Sequence, residues 1–129
     1  MIDFSPNTQK VLQWAAEDAL KHHAELLVVY PYRLKAQKDS DQKIVLKKHL
    51  EQQAYHNFAQ LKSSLPVLDL VPHTFSPEVG FETDRLEAHM QKQPISLMVL
   101  SSDIAKVGEL HNEWDEFMSR MTVPVVLIP

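Results

Sequence analysis

No cysteine occurs in the 129 residues, which removes disulfides, zinc–thiolate sites and thiol nucleophiles from consideration. Glycine is almost as scarce, with Gly80 and Gly108 the only two. Loops that cradle phosphate rely on glycine to bring backbone close to a ligand, so that chemistry has few places to sit. No apolar run approaches the ~20 residues needed to span a bilayer. The segment Met1-Ile2-Asp3-Phe4 has neither the basic stretch nor the long apolar stretch of an export signal. Positive charge is in deficit, with 13 Lys and Arg against 17 Asp and Glu, a net charge of -4. That argues against broad binding to nucleic acid or anionic membranes. A cytoplasmic location is expected.

What is present is an ordinary globular balance, 44% hydrophobic and 23% charged, in a length that suits one domain over residues 1–129. Four short apolar runs stand out: Leu26–Tyr30, Val67–Val71, Ile95–Leu100 and Val123–Ile128. Continuous rather than alternating hydrophobicity suits strands covered on both faces, as in a parallel sheet. Helical spacing lies before and between them. Ser5 reads as an N-cap with Pro6 at the first helical position, followed by Val11, Leu12, Ala15, Ala16, Ala19 and Leu20 on one face. Ile44, Leu46, Leu50, Ala54, Phe58 and Leu61 predict a second helix over about 41–62. Leu86 and Met90 mark a third over about 83–91, with Gly80 at the bend before it. Val107, Leu110, Trp114, Phe117 and Met121 mark a fourth over about 106–120. Pro31, Pro72, Pro77 and Pro94 are placed in connections.

This alternation predicts an α/β fold, an open parallel sheet with helices on both faces built from right-handed βαβ crossovers. Counted fully the sheet has five strands. The first is short or missing, since only Met1–Phe4 precede the first helix: they form a stub, another chain supplies the strand, or upstream residues are absent from the sequence.

Ligands in such sheets bind beyond the carboxyl ends of the strands. Ser101, Ser102 and Asp103 fall there, between the third apolar run and the fourth helix. Their backbone amides suit a small anion, and equally they suit capping of the helix's own donors. No metal site is expected: His49 and His56 share a helix face but lie ~10 Å apart by rise, and no pair has H-x3-H spacing. No G-x-S-x-G elbow is present, and no catalytic residue is assigned. Trp14, Trp114 and Phe117 are read as core.

The stretch Asp3-Phe4-Ser5-Pro6-Asn7-Thr8-Gln9-Lys10-Val11-Leu12-Gln13-Trp14-Ala15 resembles the opening of universal stress proteins. Ala24-Glu25-Leu26-Leu27-Val28-Val29-Tyr30, Val79-Gly80-Phe81 with Leu86-Glu87-Ala88, and Met121-Thr122-Val123-Pro124-Val125-Val126-Leu127-Ile128-Pro129 continue the likeness in order. The resemblance implies that Asp3 occupies the position of an acidic residue that contacts nucleoside; a cap or turn carboxylate is the plainer role. It also implies a G-x2-G-x9-G-(S/T) motif after the fourth strand in nucleotide-binding members. Laid from Ser101, that spacing puts Ile104 and Trp114 on the second and third glycines and Asp115 on the Ser/Thr. Ile104 resists glycine's positive φ. Asp115, with Glu109, Glu113 and Glu116, repels phosphate, and Lys106 is the only nearby cation.

The expectation is therefore a non-catalytic stress-response protein without ATP binding or other cofactor. It would act through an unknown protein partner or by sensing a small ligand. The alternative is a divergent adenine-nucleotide binder using Asp3, Ser101, Ser102, Asp103 and backbone near Val28–Tyr30. The last apolar run sits at a sheet edge, which needs a cover. The resemblance implies that a second copy provides it, giving a homodimer through Val123, Val125, Val126, Leu127 and Ile128.

Overall fold

The computed structural model describes residues 1–34, 40–104 and 111–129. Helix α1 (Thr8–Lys21) leads to strand β1 (Leu26–Tyr32), helix α2 (Ser40–Ser63), a 3-10 turn (Pro66–Leu70) and strand β2 (His73–Val79). Helix α3 (Glu82–Lys92), strand β3 (Met98–Ser101), helix α4 (His111–Ser119) and strand β4 (Val125–Ile128) complete the chain. The predicted start of the fourth helix, and Gly108 with it, lies outside the described residues.

The strands form two parallel pairs, β1 with β2 and β3 with β4. Five full strands are not present among the described residues. Met1 and Ile2 lie between the pairs instead. The Ile2 amide donates to the Val29 carbonyl at 2.9 Å, and the Met1 α-amino group donates to the Val99 carbonyl at 3.0 Å. The expected first strand is thus a two-residue stub bonded on both sides.

The register explains where prolines are tolerated. Leu26 N–H bonds Pro72, and Gly80 N–H bonds Tyr32, with Leu26 opposite His73 and Tyr32 opposite Val79. Parallel strands use alternate residues on each edge, so even-numbered residues of β1 and β2 face each other. Pro31 and Pro77 therefore lie within strands rather than in connections. The Pro77 nitrogen points to the free edge of β2, where a missing N–H costs nothing. Pro31 faces the stub, and its lack of an N–H ends pairing there one step after Ile2.

Val67–Val71 is not a strand. Leu65 and Leu68 are buried while Leu70 is exposed, the three-residue spacing of a 3-10 turn opened by Pro66. The strand falls on His73–Val79, whose alternation is muted because β2 is an edge. Ser5 is not the N-cap either: helix α1 begins at Thr8, after a turn closed by Thr8 N–H to Ser5 C=O at 3.0 Å. Ile44 is 66% exposed, because the first turns of α2 carry the stripe beyond the core. Trp14 is also 36% exposed, so only Trp114 and Phe117 of the three aromatic residues are core.

Two apolar clusters result. Ile2, Leu12, Ala16, Val28, Phe58, Leu68 and Phe75 belong to the first, with Phe58 stacked on Phe75 at 4.3 Å. Leu86, Met98, Leu100, Ile104, Trp114 and Phe117 form the second. Gly80 turns the chain from β2 into α3 at φ +145°, a backbone that side chains rarely adopt. A Cβ there would also sit 3.1 Å from Arg85 Nε. Gly80→Ala is expected to lower stability by about 1–3 kcal/mol, read as a reduced urea midpoint with unchanged slope; an unaltered midpoint would show that the turn relaxes freely.

Candidate functional site

The carboxyl ends of the stub, β1 and β3 converge on a crevice of about 300 Å³. Asp3, Asn7, Pro31, Glu82, Asp103 and Ile104 are among the residues that line it. Volume of this order is at the small end for a ligand pocket.

Asp3 spends its carboxylate locally. Oδ1 accepts from the Ser5 amide at 2.9 Å and from Thr8 Oγ1 at 3.2 Å. That is an Asx turn, and it secures the chain as it leaves the stub. The turn also accommodates Phe4 at φ +58°, whose ring packs edge-on against Tyr30 at 4.8 Å. Across the crevice, Asn7 Nδ2 donates to Asp103 Oδ2, tying the entry of α1 to the end of β3.

Of the other expected anion-binding residues, Ser101 is 2% exposed and its hydroxyl accepts from the Asp103 amide at 3.2 Å. Ser102 N–H donates to the Ile128 carbonyl at 2.9 Å, extending the β3–β4 ladder. The structure thus brings Asp3 and Asp103 to one crevice, while Ser101 and Ser102 do not line it. Asn7, Glu82 and Ile104 were not singled out as ligand contacts from sequence. Their signal is topological: Glu82 opens the helix after β2, and Ile104 follows β3, so both stand at strand carboxyl ends.

The electrostatics are one-sided. Asp3, Glu82 and Asp103 bring three carboxylates, and no Lys or Arg lines the crevice among the described residues. Arg33 Nη2 reaches Glu82 at 3.8 Å while its guanidinium lies over Phe81 at 3.9 Å, so that cation is already engaged. Burial lowers the pKa of the Met1 α-amino group to about 5, against the opposing pull of Asp3. A phosphate placed here meets net repulsion.

The positions expected for glycines have been absorbed by packing. Ile104 is 9% and Trp114 2% exposed, both in the second cluster, and Trp114 meets Phe117 edge-on at 5.3 Å. Restoring glycine would therefore remove core side chains. Asp115 lies exposed on α4. Asp3→Ala is expected to cost about 0.5–2 kcal/mol, the range for losing a capping carboxylate, measured by chemical denaturation; stability equal to the parent would mean that the turn holds without it.

Among the described residues no helix is long and apolar enough to cross a membrane. The sequence model of the universal stress protein family matches residues 1–129. Three solved structures are similar in fold. A universal stress family protein from Burkholderia pseudomallei is 19% identical at a TM-score of 0.71, covering 99% of this chain and 91% of its own. A universal stress protein in complex with cAMP is 13% identical at 0.69, covering 98% and 91%. The universal stress protein UspA from Lactobacillus plantarum is 18% identical at 0.69, covering 99% and 93%. No curated protein matches.

Proposed function

The chain belongs to the universal stress protein family, and from that premise we propose that it is a non-catalytic, dimeric cytoplasmic stress-response protein. It acts through protein interaction or small-ligand sensing and does not bind ATP. The observation that carries this reading is the acidic, narrow crevice, lined by Asp3, Glu82 and Asp103 without a free cation among the described residues. The burial of Ile104 and Trp114 supports it, since both stand where phosphate-binding backbone would have to approach.

Support for the dimer comes from β4. Met98 N–H bonds Pro124 and Ser102 N–H bonds Ile128, so Pro124, Val126 and Ile128 face β3. By alternation Val125 and Leu127 direct their backbone N–H and C=O groups outward. Leu127 is 42% exposed. Val123 lies before the strand, which begins at Val125, so the proposed contact narrows to Val125–Ile128. A bare apolar edge of this kind is satisfied when a second copy adds its own strand.

Leu127→Pro deletes one outward N–H and leaves the bonds to β3 intact. It is expected to give monomer by analytical ultracentrifugation at little cost in stability. Val126→Pro breaks an inward bond and is expected to destabilise the fold by ~3 kcal/mol. A Leu127→Pro protein that stays dimeric would place the contact elsewhere.

A second reading, a divergent adenine-nucleotide binder, is favoured by the fold relative solved with cAMP. Thermal unfolding with ATP, AMP and cAMP separates the two. A ligand present at roughly 100 times its Kd adds about 2.7 kcal/mol of stability, several degrees for a domain of this size. The expected result is no shift for any of the three at millimolar concentration; a shift of several degrees with cAMP or AMP would favour the second reading.

A further inference from the structure

The outer edges of the two strand pairs belong to β2 and β4, and the β2 edge is the longer. Strand β2 runs for seven residues, His73–Val79, against four in β4, and pairs on one side only, with β1. Its even-numbered residues turn their N–H and C=O groups to β1, so those of His73, Phe75 and Val79 point out of the sheet. None of these groups has a backbone partner among the described residues. An open edge of this length is a template for another strand.

Edges are protected by bulges, by outward charges or by proline. The register from Leu26 opposite His73 to Tyr32 opposite Val79 is unbroken, so β2 has no bulge. It contains no Lys or Arg. Its one charged side chain, Glu78, is engaged inside the molecule, with Ser76 Oγ at 2.7 Å and His89 Nε2 at 2.5 Å bonded to its Oε2. Two features remain. Just before the strand, the Val71 carbonyl accepts from His73 Nδ1 at 2.8 Å and so is closed to a neighbour. In the strand stands Pro77, opposite Tyr30, with its nitrogen on the outer edge. The proline Cδ occupies the place where an N–H would point. A strand arriving at the ladder spacing of ~4.8 Å meets that ring instead of a donor. The outward donors are thereby split, with His73 and Phe75 on one side and Val79 on the other. The β4 edge carries no such block, since Val125 and Leu127 point outward and Pro124 belongs to the set that faces β3.

We propose that Pro77 limits the assembly of this protein: it closes the β2 edge to a strand of a second copy, and pairing between copies is left to β4. A contact between two like edges closes after two copies, whereas molecules with two competent edges join without end. With β2 open, pairing of β2 with β2 or of β2 with β4 would continue the sheet from one copy to the next. The excluded strand is that of a second copy, because each copy presents an unblocked apolar edge strand of its own, Val125–Ile128. The inference goes beyond the proposed function. A dimer through β4 says where copies meet, and Pro77 says why they do not also meet at β2. It rests on the dimer reading for the size of the parent alone.

Pro77→Val and Pro77→Ala both restore the outward N–H and leave every bond to β1 in place. Both are expected to keep the parent's urea midpoint, and Pro77→Ala adds no apolar side chain to the edge. In sedimentation velocity the parent is expected to hold one mass over about a hundredfold range of concentration, with its β2 edge closed. Both variants are expected to grow with concentration, at least doubling the parent's weight-average mass at the top of that range. Amide hydrogen exchange at Phe75 and Val79 is expected to slow at least tenfold as they grow. Adding Leu127→Pro to Pro77→Val blocks the β4 edge as well and is expected to stop growth at two copies. Three results would overturn the proposal: folded variants that both keep the parent's mass, growth of Pro77→Val without growth of Pro77→Ala, or growth without slower exchange at Phe75 and Val79. A parent whose mass does not change with Leu127→Pro counts against the β4 contact and not against Pro77, whose effect is read as the increase over the parent.

Discussion

The molecule depends on two hydrogen bonds made by its first two residues. Ile2 bonds Val29 and Met1 bonds Val99, and between them they join two strand pairs that share no other ladder. The side chains repeat the division. Ile2 is 2% exposed within the first apolar cluster, a burial worth about 1.5–3 kcal/mol, while Met1 packs against the second. Pro31 fixes how far this seam extends upward, because it has no N–H to offer Ile2. Asp3 then turns the chain away into α1. The crevice lies beyond the carboxyl end of this short strand.

Much of the fold is legible in the sequence, and the failures have physical causes. Leu26–Tyr30 and Ile95–Leu100 overlap β1 and β3, since interior parallel strands need apolar residues on both faces, and Val123–Ile128 contains β4, an apolar edge. His73–Val79 escapes that rule because β2 pairs on one side only. It carries Ser76, Pro77 and Glu78, with Ser76 Oγ and His89 Nε2 both bonded to Glu78 Oε2. The more apolar Val67–Val71 has the composition of a strand, although Pro66 and the spacing of Leu65 and Leu68 fit a 3-10 turn. At the start of α1, Ser5-Pro6 has the composition of a cap, yet Asp3 holds the turn and the helix begins two residues beyond Pro6.

The candidate site was half legible. The glycine spacing marks Ile104 and Trp114 as departures, but spacing does not say where those side chains go. In the structure both help build the second core. Asp3 and Asp103 could be placed at strand ends from the alternation of elements. Glu82 and Asn7 could not be assigned roles, because their neighbours come from opposite halves of the chain.

The separation of the two apolar clusters has a consequence for how the protein breathes. Each strand pair closes around its own core through a local crossover, so each half can order with modest loop-closure cost. The halves are joined by main-chain bonds, by α1, which packs on both β1 and β3, and by α3, which packs on both β1 and α4. Cooperativity across such a junction is weaker than within either half.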